Sequence, residues 1–236
     1  MSVKQESGRI AKQEGHDFEH VIAYKLSEHF NREFVVEGAS NTKIDVRDIN
    51  YGVRLSVKNP KGKNTQIGLY TQSSFISAMG ISDPELVDFI GKFFGGDQYS
   101  NYPRHRMTKK DIDSNLNDKF LSFLNNRKLD ILDLLATHGH NQNGDVNYLI
   151  WATRKNDPNS IILIDLNEFK DELMSGEWVQ NNTTFDFNVN GNKLFHLQMK
   201  GSGTKYTNGY HSLMFHVHRN FNSTYIKNLE VLDNLL

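Results

Sequence analysis

The chain has 236 residues and a formal net charge of −1, with 37% apolar, 23% charged and 11% aromatic residues, the profile of an ordinary globular protein. The absence of cysteine excludes disulfide frameworks and thiolate metal sites. No apolar run approaches the roughly 20 residues of a membrane span, and MSVKQESGRIAKQEG at the N-terminus lacks the apolar core of a secretory signal, so the cytoplasm is expected and no membrane association is.

Residues 1–13 are polar and are expected to be loosely held up to the first helix. Phe18, Ile22, Leu26 and Phe30 recur every four residues over Glu14–Phe30, with Val21 and Ala23 alongside, and predict a helix with one buried stripe. Glu19 sits at the border of that stripe, either as a solvated flank residue or as a carboxylate reaching a metal platform below the helix. Lys43–Lys58 reads as two short strands joined by a turn carrying Asn50 and Gly52. Ile44 and Val46 on the first strand, and Val53, Leu55 and Val57 on the second, alternate with polar residues. Burying both apolar faces in one core gathers Asp45, Ser56 and Lys58 on the other side. A carboxylate and an amine on a rigid two-stranded platform are the minimum kit for a metal-dependent phosphodiesterase.

Pro60 and Gly62 end the second strand, and the following basic loop offers Lys61, Lys63, Asn64 and Gln66, either to a nucleic-acid backbone or simply to solvent. Phe75–Phe94 is helical, interrupted by the Ser82-Asp83-Pro84 start signal. A loop over Gly95–Pro103 precedes a basic cluster containing Arg104 and Arg106. Asp111–Leu135 is again helical, with Leu116, Phe120, Phe123 and Leu124 on its apolar face and a short separate helix at Leu129–Leu135. The loop Thr137–Gly144 contains His138, His140 and Asn141, which suit base edges; the two histidines lack a third metal ligand at a suitable spacing. Tyr148–Thr153 and Ser160–Asp165 are buried-type strands around the turn Asn156-Asp157-Pro158-Asn159. Leu166–Met174 fits a short helix, Glu177 onward has strand character, and Leu194–Met199 pairs with Ser212–His218. The connecting Lys200–Gly209 is glycine-rich and basic, without the context of a phosphate-binding loop, and is either a hairpin loop or an arm for a DNA groove.

Charge is unevenly distributed. Ile49–Ser82 and Phe187–Leu229 contain no Asp or Glu but several Lys and Arg, a pattern that fits either a one-sided positive surface for a polyanion or chance clustering in half-buried strands. No repeats or linkers divide the chain, which reads as one domain.

In their order, these segments resemble the PD-(D/E)XK nucleases and, more narrowly, the small HinP-type type II restriction endonucleases. The resemblance rests on HDFEHVIAYKL with Glu19, Ile44-Asp45-Val46, Ser56-Val57-Lys58 with NPKGKNTQI after it, DLLATHGH, YLIWATRK, IILIDLNEF, QMKGSGTKY and LMFHVH. Two departures stand out: Ile44 occupies the place of the family's Pro, and Ser56 that of its usual second acid. The resemblance implies an α/β (α+β) restriction-endonuclease-like fold, a central mixed β-sheet flanked by helices. It implies a single nuclease domain over residues 1–236, with a catalytic core near residues 14–75 and recognition loops mainly within 100–145 and 195–220. Mg²⁺ would be held by Asp45 and the Val57 carbonyl, with Glu19 bound through water. Ser56 would hold a water of the metal's shell, and Lys58 would sit beside the attacking water. Double-stranded DNA would be the partner, contacted by Lys61, Lys63, Asn64, Gln66, Arg104, Arg106, His138, His140, Asn141, Gln198, Lys200 and Lys205. The protein would act as a monomer or homodimer beside a cognate DNA methyltransferase. Two alternatives stay open: a repair, resolvase or mobile-element nuclease of the same fold, and a DNA-binding protein whose active site has decayed.

Overall fold

Helix α1 runs from Val3 to Phe30, so the N-terminal residues expected to be loosely held are helical from Val3. Lys, Gln, Glu, Arg and Ala in this stretch are good helix formers. Arg9 donates to Glu6 at 2.7 Å and Gln13 to Asp17 at 2.8 Å, pairs at helical spacing that support the exposed turns. Residues 3–37, 44–50, 52–59, 64–94, 113–134, 146–182, 184–199, 212–218, 226–227 and 229 are described by this computed structural model. Of these, residues within 1–65, 136–169 and 221–236 form one compact unit, and those within 66–135 and 170–220 form another.

The first unit is built on a six-stranded mixed sheet. Its strands are β1 (Phe34–Val36), β2 (Val46–Asp48), β3 (Arg54–Lys58), β5 (Tyr148–Ala152), β6 (Ile161–Asp165) and β11 (Ile226–Lys227), adjacent in that order. All neighbours are antiparallel except β3 and β5, which run parallel with Ser56 opposite Leu149 and Lys58 opposite Trp151. A parallel neighbour needs a long crossover, and residues 59–147 supply it. Every residue of β5 is buried, as expected of the continuous apolar run YLIWA in an interior strand. Helix α1 lies on β1 and β2, and its Phe18, Ile22 and Leu26 join Val46, Leu55 and Ile150 in the core. The predicted stripe is therefore real except at Val21, which is 43% exposed and points away from that core. Strand β1 was not anticipated: three residues between a helix and a hairpin are too few to show a period.

The β5–β6 turn is tied back to the start of the unit. Asn156 adopts φ +58°, the left-handed region that Asn tolerates. Asn59 and Asn156 exchange two hydrogen bonds, at 2.6 and 2.8 Å. Lys25 donates to the Pro158 carbonyl at 2.7 Å, and Lys155 pairs with Glu14 at 2.7 Å. These contacts fix the end of β3 and helix α1 to one rigid turn.

The second unit contains a five-stranded sheet in the order β4 (Asn64–Thr71), β10 (Ser212–His218), β9 (Asn192–Met199), β8 (Phe185–Val189) and β7 (Glu177–Gln180). The basic loop expected after Pro60 is thus strand from Asn64 onward. The expected pairing of β9 with β10 is present, antiparallel, with Gln198 opposite Met214. Helices α2 (Gln72–Ala78), α3 (Pro84–Phe94) and α4 (Ser114–Asn126) pack on this sheet, and the short α5 (Lys128–Leu132) follows. Asp83 caps α3 as its signal predicted, accepting from the Glu85 N–H at 2.9 Å. Phe120 is buried with its ring 4.9 Å from Phe89 and 5.0 Å from Phe185. Helix α6 (Leu166–Ser175) leads from β6 towards β7. The α+β class and the mixed sheet with helical cover agree with expectation. Among the described residues, no helix is long and apolar enough to cross a membrane.

Candidate active site

The hairpin of β2 and β3 forms where alternation placed it. Val46 faces Leu55, and the Asp45 N–H donates to the Leu55 carbonyl at 2.8 Å, extending the pairing by one residue. Ile44, Val46, Val53, Leu55 and Val57 are all buried. The turn is closed by a residue not singled out in the sequence. Asp48 is 1% exposed; its N–H donates to the Val53 carbonyl at 3.0 Å, and its Oδ1 accepts the Val53 N–H at 2.9 Å. This carboxylate bridges the ends of the turn, so the register that aligns Asp45 with β3 is fixed.

Three donors then converge on one oxygen. Asp45 Oδ2 accepts from the Val57 N–H at 2.6 Å, the Ser56 hydroxyl at 2.9 Å and Lys58 Nζ at 3.1 Å. Asp45 Oδ1 accepts none among the described residues. Ser56 is 5% exposed and is committed to Asp45, whereas Asp45 and Lys58 keep about a quarter of their side chains open to solvent (23% and 22%). Lys58 Nζ also donates to the Val57 carbonyl at 3.1 Å. An ammonium has three N–H donors, and among the described residues these two contacts leave one for water or a phosphate oxygen.

Glu19, on α1, lies near enough to feel the charges of Asp45 and Lys58. Its neighbour Phe18 is buried in the core, which holds the side chain at the helix border, 23% exposed. Burial, followed by the negative charge of Asp45, raises its carboxyl above the ordinary value. A hydrogen bond to His16 and the charges of Lys58 and His16 offset part of that rise. Two carboxylates that feel each other's charge, beside a carbonyl that still has a lone pair, form an all-oxygen donor set. That set suits a hard divalent cation such as Mg²⁺, which keeps several waters and takes one or two protein carboxylates. Among the described residues no three His, Cys, Asp or Glu side chains converge on a metal position, so the remaining ligands would be the Val57 carbonyl, water and substrate. The residues present fit Mg²⁺ on these terms.

The structure therefore brings Glu19, Asp45, Ser56, Val57 and Lys58 together. It adds His16, whose Nδ1 lies 3.1 Å from Glu19 Oε2. The i, i+3 spacing in HDFEH is the sequence signal for that contact. Of the expected DNA-contacting residues, Asn64 and Gln66 lie on β4, and Gln198 lies half-buried on β9. Lys61, Lys63, Arg104, Arg106, His138, His140, Asn141, Lys200 and Lys205 lie outside the described residues.

No family model and no curated protein matches the chain. Among solved structures it is similar to a restriction endonuclease crystallised in complex with its cognate DNA. That protein is MspI, at 14% sequence identity and a TM-score of 0.48, over 83% of this chain and 77% of that one.

Proposed function

We propose that the chain is a Mg²⁺-dependent endonuclease that hydrolyses phosphodiester bonds of double-stranded DNA at a short, sequence-specific site, as a type II restriction endonuclease does. The observation that supports this most is the convergence of Ser56, the Val57 amide and Lys58 on a single oxygen of Asp45, with Glu19 close enough to feel the same charge. Asp45 and the Val57 carbonyl would hold the cation directly, with Glu19 bound to it through water. Bound there, Mg²⁺ would supply positive charge against the negative charge that builds on the phosphate and would make water more acidic.

The chain's own residues do the rest. Ser56 and the Val57 N–H fix the Asp45 carboxylate, so that no reorganisation is needed when the phosphate arrives. The N–H of Lys58 not used by Asp45 or the Val57 carbonyl is offered to a non-bridging phosphate oxygen or to the attacking water. Sequence choice falls to the segments around His138–Asn143 and Lys200–Asn208, where Asn, Gln and Lys side chains can read base edges. Lys61, Lys63, Asn64, Gln66, Arg104, Arg106 and Gln198 add further DNA contacts. We assign these tasks to one nuclease domain, working as a monomer or homodimer beside a cognate methyltransferase.

Digestion of plasmid and phage DNA tests the reading. With Mg²⁺ the wild type yields discrete fragments with uniform ends; with EDTA, or with Asp45→Ala or Lys58→Ala, it yields none. Structure-dependent nicking without discrete fragments would favour a repair or resolvase enzyme. DNA retardation without any cleavage would favour a binding protein.

A further inference from the structure

Two histidines flank Glu19 on α1, in the run His16-Asp17-Phe18-Glu19-His20. Residues three and four apart on a helix share a face, so His16 neighbours both Glu19 and His20. His16 Nδ1 is 3.1 Å from Glu19 Oε2, the one side-chain hydrogen bond to Glu19 among the described residues. The His20 ring meets the His16 ring edge-on, with centroids 4.8 Å apart and planes at 66°. Unlike Asp45, which three donors on β3 hold in place, Glu19 has this single tether. A glutamate side chain has several rotatable bonds, and freezing them when a cation binds would cost entropy.

We propose that His16 is a positioning residue for Glu19: it holds Oε2 so that Oε1 is kept ready for the divalent cation or its water, while His20 braces the imidazole. The proposal rests on the nuclease reading and adds a supporting contact to the carboxylate, of the kind that commonly orients metal ligands. A purely structural pair on an exposed helix would affect stability and leave cation affinity alone.

The test uses the full-length chain and Mn²⁺ alone, with bound and free ion distinguished by electron paramagnetic resonance, together with the Mg²⁺ dependence of cleavage. His16→Ala is expected to weaken Mn²⁺ binding about tenfold. It should raise the half-saturating Mg²⁺ concentration by a similar factor, with a smaller loss of rate at saturating Mg²⁺ and little change in thermal midpoint. His16→Asn, whose side-chain amide can donate from a position near that of Nδ1, should recover most of the affinity, and His20→Ala should give a smaller shift in the same direction. Unchanged Mn²⁺ affinity in His16→Ala, or a loss matched by a fall in thermal midpoint, would overturn the proposal. Asp45→Ala separates the two levels. If the wild type cuts DNA and Asp45→Ala abolishes Mn²⁺ binding while His16→Ala does not weaken it, only this inference fails. If the wild type neither cuts nor binds Mn²⁺ better than Asp45→Ala, the nuclease reading falls and takes this inference with it.

Discussion

Asp45 is held by its neighbours before any ligand arrives, and Ser56 is the member of that set whose chemistry is least expected. Its hydroxyl is buried and hydrogen-bonded to Asp45 Oδ2, so it supports the carboxylate whether or not it touches a cation. Ser56→Ala removes one of three donors to a charged acceptor, a loss of about 1.5–3 kcal/mol. Urea unfolding should show a lower midpoint at unchanged slope, and DNA cleavage should slow without vanishing. This group was legible in the sequence because strand alternation puts Asp45, Ser56 and Lys58 on one face. Two residues were not. Asp48 looks like any turn aspartate until its burial and its bond to the Val53 N–H are seen. His16 lies among polar helix residues, and only the position of Glu19 gives its spacing a meaning.

At the scale of elements, α1 has two jobs, packing the core and carrying Glu19. Leu26 is fully buried, and Leu26→Ala should cost about 2–5 kcal/mol, read as a lower urea midpoint, and should reduce cleavage by loosening the helix. Val21 faces outward, so Val21→Ala should stay within about 0.5 kcal/mol of wild type. In the second unit, buried Asp186 provides a pH test. Burial alone would raise its carboxyl, but hydrogen bonds from Lys193, Thr184 and Asn181 and the charge of Lys193 outweigh that and hold it below the ordinary value. A carboxylate depressed in the folded state adds stability above its unfolded value, which disappears as pH falls through the folded one. Asp186→Asn should therefore destabilise the protein at neutral pH and flatten the loss of stability below about pH 4, measured as urea midpoints against pH. Strong periodic elements such as α1, α3, α4, β5 and β6 were readable. Strand β4 was not, because Pro60, Gly62 and Gly68 gave its segment the composition of a loop.

For the whole molecule, the parallel pairing of β3 with β5 was the feature no local pattern could give. Lys58 and Trp151 face each other across a long stretch of intervening chain, and alternation within each strand says nothing about which strands become neighbours. That pairing places β3, with its buried Ser56, inside the sheet and makes the platform beneath Asp45 rigid. The division into two compact units was also hidden, since the chain passes from one to the other and back without a linker of distinct composition. The net charge of −1 was equally uninformative, because the chemistry depends on where Glu19, Asp45 and Lys58 meet. In the proposed function, Asp45 and Lys58 form a cation-dependent cleavage centre for DNA. Its most direct measurement is the rate at which phage DNA is cut with excess enzyme, in Mg²⁺ and in EDTA, by wild type, Asp45→Ala and Lys58→Ala. Cutting is expected from the wild type in Mg²⁺ only, with losses on the order of a thousandfold or more in both variants, each of which removes charge from the reacting centre. Cutting by either variant at the wild-type rate would contradict the proposed function.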